Sequence, residues 1–192
     1  MKDSQLFNIP LQKSRTMNNT IITSTFHELY AAFDSVYATS FPIFEQRTAA
    51  QQEEAFADSR YQLIAYTDDD KEFVGFIGCW KFDTYYYIEH FAIATARRGK
   101  GEGSRILGEF IASAKKEGKT VILEIDPPID AVSISRQHFY EHQGMVINTF
   151  DHKHPPYREG FYAHPLRIMS ANEKVSDKLY QQFVEDLNKV VM

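Results

Sequence analysis

The sequence predicts an α+β domain built on a mixed, mostly antiparallel sheet, and three observations carry that prediction. Apolar extended runs at Tyr61 to Tyr66, Phe73 to Trp80 and Tyr85 to Ala94 are joined by the short polar links TDDDKE and KFDT. Links this short permit only antiparallel neighbours. A helical stretch then separates the third run from VILEI, Val121 to Ile125, and a strand, a helix and a strand make a crossover that pairs its strands in parallel. The chain has 192 residues, 43% apolar and 24% charged, which is enough for one ordinary core and short for two.

In chain order, residues 1–16 form an N-terminal extension. Thr25 and Glu28 stand at capping-box spacing before Leu29, Phe33 and Val36, which predicts a helix from Phe26 to Ser40, interrupted by Pro42. A second helical stretch rich in Gln, Glu and Ala covers Phe44 to Ala57. The three-strand meander follows. Ile106, Leu107, Phe110, Ile111 and Ala114 then recur on one helical face that ends in Lys115, Lys116 and Gly118, a combination suited to a helix terminus. After VILEI come a helix at Ser133 to Gln143, stopped by Gly144, and strand-like runs at Met145 to Phe150 and Phe161 to Met169. Ser170 and Glu173 repeat the capping-box spacing ahead of a stripe of Leu179, Phe183, Leu187 and Val191. The division expected is a domain over residues 17–169 and a C-terminal helix over 170–192, packed on that domain or forming a homodimer seam.

Composition excludes several classes. A net charge of −5 offers no surface for a polyanion, which argues against nucleic acid as a partner. No apolar run approaches the roughly 20 residues of a membrane helix, and Met1 to Thr20 lack the apolar stretch of a secretory signal, so a cytoplasmic protein with no membrane partner is expected. Cys79 is the only cysteine and lies in an apolar run, where it reads as a packed thiol.

The positive charge that exists is local, in RRGKGEG, Arg97 to Gly103, immediately before a helix. A helix start leaves its first N–H groups without intrahelical partners and carries about half a positive charge, so it suits phosphate oxygens. Glycines at 99, 101 and 103 let that backbone approach an anion without obstruction by Cβ. Neither the dinucleotide fingerprint nor the nucleotide P-loop fits: Ser104 or Ile106 occupies the place of the fingerprint's last glycine, and Ser113 that of the P-loop's first.

What fits is R-x-x-G-x-G, with Arg98, Gly101 and Gly103, five residues beyond the strand FAI and opening an amphipathic helix. Here the chain resembles the GNAT superfamily of N-acetyltransferases, whose signature binds the pyrophosphate of acetyl-coenzyme A. FAIATARRGKGEGSRIL resembles that superfamily's fourth strand, loop and third helix, VILEI its fifth strand, and RQHFYEHQGM its F-Y-x-x-x-G-F segment, with Met145 replacing the last Phe. The resemblance spans Tyr85 to Met145. It implies a GNAT-like central sheet of six to seven strands flanked by helices, with an extra C-terminal helix.

The resemblance also implies roles. The fourth strand splays from the fifth, leaving the backbone of Phe91, Ala92 and Ile93 to pair with the pantetheine arm. Arg98, Gly99, Lys100, Gly101, Glu102, Gly103 and Ser104 form the pyrophosphate cradle. Ser133 stands where the family pattern often has Asn, seven residues before the tyrosine, at a coenzyme contact. Tyr140 protonates or stabilises the departing thiolate. An alkylammonium with a pKa near about 10.4 has no lone pair at neutral pH, so a carboxylate must take its proton, directly or through water. Glu89 is the first candidate and Glu124 the second. Strand alternation cannot decide between them, because a bulge in that strand reverses the facing.

His138 and His142 stand four apart, and DHKH carries His152 and His154. Neither pair matches H-E-x-x-H and no third ligand is evident, so they read as solvated or packed histidines and no metal is expected. The reaction expected is acetyl transfer from acetyl-coenzyme A to the primary amine of a small molecule or peptide, by direct attack in a ternary complex. The competing reading is a module that keeps the acyl-coenzyme A cradle and senses without turnover.

Overall fold

The structure is a computed structural model describing residues 17–192, and the extension assigned to residues 1–16 lies outside the described residues. Eight strands and five α-helices are described: β1 Asn18–Ile22, α1 Tyr30–Ser40, α2 Ala49–Ala57, β2 Tyr61–Thr67, β3 Phe73–Lys81, β4 Tyr85–Ile93, α3 Glu102–Lys116, β5 Thr120–Ile125, α4 Ala131–His142, β6 Met145–Ile147, β7 His152–His154, β8 His164–Ala171 and α5 Asp177–Asp186. The sheet order is β1-β2-β3-β4-β5-β8-β6, with β7 paired to β8. The β4–β5 ladder is parallel and every other one is antiparallel, as the crossover and the meander predict. The count exceeds the expected six to seven. β1 buries only Ile22 and so shows no alternation, and of the run expected from Met145 to Phe150 only β6 is strand, with β7 an additional strand beyond it.

Helix boundaries moved where a competing hydrogen bond won. The Thr25 hydroxyl donates to Glu53 Oε1 at 2.7 Å instead of capping, and α1 begins at Tyr30. The stretch from Phe44 to Ala57 is two pieces, a 3-10 turn at Ile43–Glu45 and then α2, because Thr48 and Gln51 form a complete capping box. Ser170 lies inside β8, where its hydroxyl accepts from Asn148 Nδ2 at 2.9 Å and donates to the Glu173 carbonyl at 2.6 Å. The last helix is capped by Ser176, which accepts from the Leu179 amide.

The sheet carries an apolar layer on each face. Against one lie α3 and α4, with Ile106, Leu107, Phe110 and Tyr140 over Tyr86, Ile88 and Leu123. Fully burying Ile106 and Leu107 contributes about 1.5–3 kcal/mol each. Against the other lie α1, α2 and α5, with Phe33, Tyr37, Ala55 and Phe183 around Phe76, Trp80, Tyr85 and Tyr87. The expected stripe is real: Phe183, Leu187 and Val191 are buried, Leu187 and Val191 in the single π-helical turn that follows α5. The Tyr85 hydroxyl donates to Asp186 at 2.7 Å, tying this helix to the sheet. Among the described residues no helix is long and apolar enough to cross a membrane.

Candidate active site

The site begins where the sheet comes apart. β4 and β5 pair from Tyr85–Thr120 to Ile88–Leu123 and no further, while β4 stays paired with β3 to Ile93 and β5 with β8 to Ile125. Between the two strands opens a cavity of about 690 Å³, closed by the start of α3, by Phe139 and Tyr140 of α4, and by residues from Ser40 to Glu45 and His154 to Leu166. Phe91, Ala92 and Ile93 line it along the unpaired edge of β4.

The β3–β4 register sets Gly78 opposite His90 but Cys79 opposite Ile88, so Glu89 is an extra residue in a β-bulge. Tyr85 and Tyr87 face the α1–α5 side, and after the bulge Ala92 faces it too. Glu89 and His90 are therefore both turned to that side. The Glu89 side chain has 0% exposure although the residue is half-buried overall, so it is the backbone that meets the cleft. Its carboxylate accepts from Trp80 Nε1 at 2.7 Å and lies 2.8 Å from Arg47 Nη2. Burial alone would push the Glu89 carboxyl up, but the Arg47 guanidinium, His90 and the hydrogen bonds from Trp80 and Tyr157 together outweigh it and hold the group below the usual carboxylate range.

Glu124, at the matching point of β5, has a side chain 4% exposed. It accepts from the Tyr87 hydroxyl and from His152 Nε2, and His154 Nε2 lies 3.6 Å away. Burial acts to raise its carboxyl, and the facing histidines when protonated, with the hydrogen bonds from His152 and Tyr87, bring it below the ordinary range. His152 in turn faces the Tyr180 hydroxyl of α5 at 3.1 Å. Tyr140 lines the cavity from α4, and burial pushes its phenol up to about 12, so the hydroxyl keeps its proton at neutral pH.

At the other end the chain rises into α3. Gly99 and Gly101 have φ of 73° and 78°, in the left-handed region. Gly101 is the N-cap of α3 with no side-chain cap, which leaves the first amide groups of the helix free to donate. A Cβ on either glycine would meet no heavy atom within 4 Å, so the approach to these amides is open. The charged side chains largely serve the loop itself. Arg98 Nε donates to the Ile93 carbonyl at 2.9 Å and its Nη2 to Ser40 at 3.1 Å, and Lys100 donates to the Ala96 carbonyl. Arg97 spans Asp68 and Glu102, which turns the Glu102 carboxylate from the helix start. Gly103 and Ser104 border the cavity, but Ser133 faces a separate depression, its hydroxyl engaged in the capping box with Asp130. Backbone donors followed by an open strand edge fit a diphosphate carrying an extended amide-containing arm.

Several lining residues were not foreseen: Glu45, His154, Tyr157 and His164. Burial and then Asp126 raise the Glu45 carboxyl to about 7. For the β7 histidines a signal existed, because H-K-H at strand period puts His152 and His154 on one face, and both are buried while Lys153 is exposed. His138 and His142 lie on an exposed face of α4. The described residues include no group of three or more His, Cys, Asp or Glu placed to hold a metal.

Comparison with known proteins agrees with this geometry. A solved structure of a "Putative acetyltransferase from GNAT family" from Bacteroides thetaiotaomicron superposes with a TM-score of 0.80 at 27% identity, over 91% of this chain and 97% of that one. The structure of a Bacillus subtilis acetyltransferase in complex with CoA shares the fold, with a TM-score of 0.57 at 15% identity over 83% of this chain and 100% of that one. In sequence, "Putative acetyltransferase YjbC" of Bacillus subtilis (strain 168) is 29% identical over 105 residues, 54% of this chain, which thus spans about half of that relative, 50%. Residues 26–145 match the acetyltransferase (GNAT) family, and with more than half its length matched the chain belongs to that family.

Proposed function

We propose that this protein is an N-acetyltransferase that moves acetyl from acetyl-coenzyme A to a primary amine by direct attack in a ternary complex. One observation carries the reading: the unpaired edge of β4 runs along a single cavity to the uncapped start of α3, with Tyr140 on the same wall. The amides that open α3 and the loop from Arg98 to Ser104 would hold the pyrophosphate, and Phe91 to Ile93 the pantetheine arm. Bound there, acetyl-coenzyme A supplies a thioester acetyl and a thiol leaving group. Tyr140 holds a proton for the departing sulfur, which its raised pKa keeps in place.

The amine must lose its proton before it can attack. Of the two glutamates, Glu89 is committed to Arg47 and serves as a fixed negative charge beneath the bulge. Proton removal centres on Glu124 and the groups packed against it. The test is thiol release from acetyl-coenzyme A across a panel of small amines, polyamines and peptides, with Tyr140→Phe alongside. Turnover with some amine, slowed about 100-fold by that substitution, supports the reading. A rise in melting temperature with coenzyme A but no thiol release from any amine would favour the non-catalytic module instead.

A further inference from the structure

One end of the cavity leaves a buried imidazole nitrogen without a donor. His154 Nδ1 lies against the Pro155 carbonyl oxygen, which can only accept, so the ring proton of neutral His154 sits on Nδ1 and Nε2 is left as an acceptor. That Nε2 is buried with no hydrogen-bond partner. It faces Glu124 Oε2 across 3.6 Å, and Glu124 as a carboxylate accepts as well. Glu124 Oε2 has the Tyr87 hydroxyl as a donor, but His154 Nε2 opposite it has none among the described residues, and both residues line the cavity. A second buried imidazole nitrogen without a hydrogen-bond partner is His164 Nε2, 3.9 Å from Glu45 Oε1, and its ring centroid is 5.8 Å from that of His154.

An alkylammonium fits this shortage by charge and by shape. It carries several N–H donors on one atom, and a nitrogen within ordinary hydrogen-bond reach of both Nε2 and Oε2 spans such a gap. A neutral hydroxyl has one proton and could satisfy only one of the two acceptors.

We propose that His154 Nε2 and Glu124 Oε2 together receive the acceptor as its ammonium ion, and that His154 is the base that takes its proton. The inference rests on the acetyltransferase reading and adds to it the atom on which the proton lands. In the step an N–H bond of the ammonium breaks, its electron pair stays on nitrogen as the nucleophilic lone pair, and a new N–H bond forms at Nε2. The resulting imidazolium sits beside the Glu124 carboxylate, which stabilises it, and the proton returns to bulk water through the open cavity after product leaves. Glu124 keeps its orientation because Tyr87 and His152 both donate to it. The titratable groups around His154 are Glu124 from β5, His152 on its own strand, His164 from β8, His90 from β4 and Tyr157, whose ring stacks on it at 4.9 Å.

The test has two arms. In the first, the imidazole nitrogens of the uniformly 15N-labelled wild-type protein are followed by NMR while n-butylammonium is added, with His154→Gln used to assign the resonance. Neutral His154 is expected to carry its proton on Nδ1, and its Nε2 resonance to move with the amine. A proton on Nε2, or a resonance that ignores the amine, overturns the proposal whether or not any amine turns over. In the second arm, His154→Gln is expected to keep coenzyme A binding and to lose about 100-fold in kcat/KM at pH 7 with an accepted amine. The loss should shrink as pH rises toward the amine's own pKa, where the substrate arrives already deprotonated. Unchanged kcat/KM with a parallel pH profile also overturns it. Thiol release absent from every amine, with the NMR behaviour intact, would count against acetyl transfer and leave the ammonium site standing.

Discussion

Arg47 and Glu89 form a buried ion pair at 2.8 Å, with side chains 6% and 0% exposed, at the point where β4 bulges. Arg47 Nη2 also donates to the Val191 carbonyl at 2.8 Å, and its guanidinium lies 5.4 Å from the centre of the Trp80 ring. One side chain from the loop before α2 thus joins the bulge, the C-terminal turn and the aromatic layer. Two such charges are costly to bury, and the pair is tolerable only because each neutralises the other.

Breaking it from one side should therefore be worse than removing it. Glu89→Gln leaves the guanidinium without its countercharge and is expected to destabilise the fold by about 3–5 kcal/mol, whereas Arg47→Met with Glu89→Leu should cost clearly less. Urea denaturation of Glu89→Gln, Arg47→Met and the double variant measures this, and a double-variant loss equal to the sum of the single losses would show that the two charges are uncoupled. Because the folded-state pKa of Glu89 is depressed, its stabilisation is present above the unfolded value of about 4.5 and is lost as pH falls through the folded value. Arg47→Met removes the charge that depresses Glu89 and leaves the burial that raises it, so the stability gap between wild type and Arg47→Met should narrow as pH falls.

The cradle should depend on backbone more than on charge. Gly101→Ala puts a Cβ on a left-handed residue and costs about 1–2 kcal/mol in strain, tilting the amides that open α3. Coenzyme A should then give a much smaller rise in melting temperature. Arg98→Ala leaves those amides in place and should reduce the shift less, its main loss being the bonds to Ile93 and Ser40. The opposite order would make the Arg98 side chain, and not the helix start, the principal anion contact.

How much of this was legible in sequence follows from the range of the interactions involved. The meander, the crossover and the start of the third helix are local patterns, and they appear as read. The bulge at Glu89 has no local signature, because it arises from the register against β3. Arg47 was invisible for the same reason, since its partners lie 42 and 144 positions away, at Glu89 and Val191. The false cap at Ser170 illustrates the reverse error: the spacing is right, but the β5–β8 and β6–β8 pairings hold the residue in a strand.

Glu45 supplies a pH dependence of its own. Burial raises its carboxyl from 4.5 to about 7, so the folded protein binds a proton there that the unfolded chain has already lost. That contribution is complete below 4.5 and disappears as pH rises through about 7. Glu45→Gln should therefore gain stability relative to wild type at pH 8 and little at pH 4.5, as read from melting curves at the two pH values. A constant difference across that range would mean the carboxyl titrates normally. A cationic acceptor should also bind better once Glu45 is charged, so KM for an amine should fall between pH 6 and about 8 in wild type but not in Glu45→Gln.

Tyr140 makes the sharpest kinetic prediction. Its phenol, raised to about 12 by burial in the wall of the cavity, stays protonated over the whole working range. If it gives its proton to the leaving sulfur, Tyr140→Phe should lower kcat by about 100-fold while the melting shift with coenzyme A is kept, because the ring that packs beside Phe139 is unchanged. The wild-type kcat profile should show no descending limb from this group below about pH 10, since a hydroxyl with a pKa near 12 has not begun to ionise there. A descending limb near neutral pH that vanishes in the phenylalanine variant would contradict the raised pKa. A variant with full kcat would move the acid to another residue of the cavity.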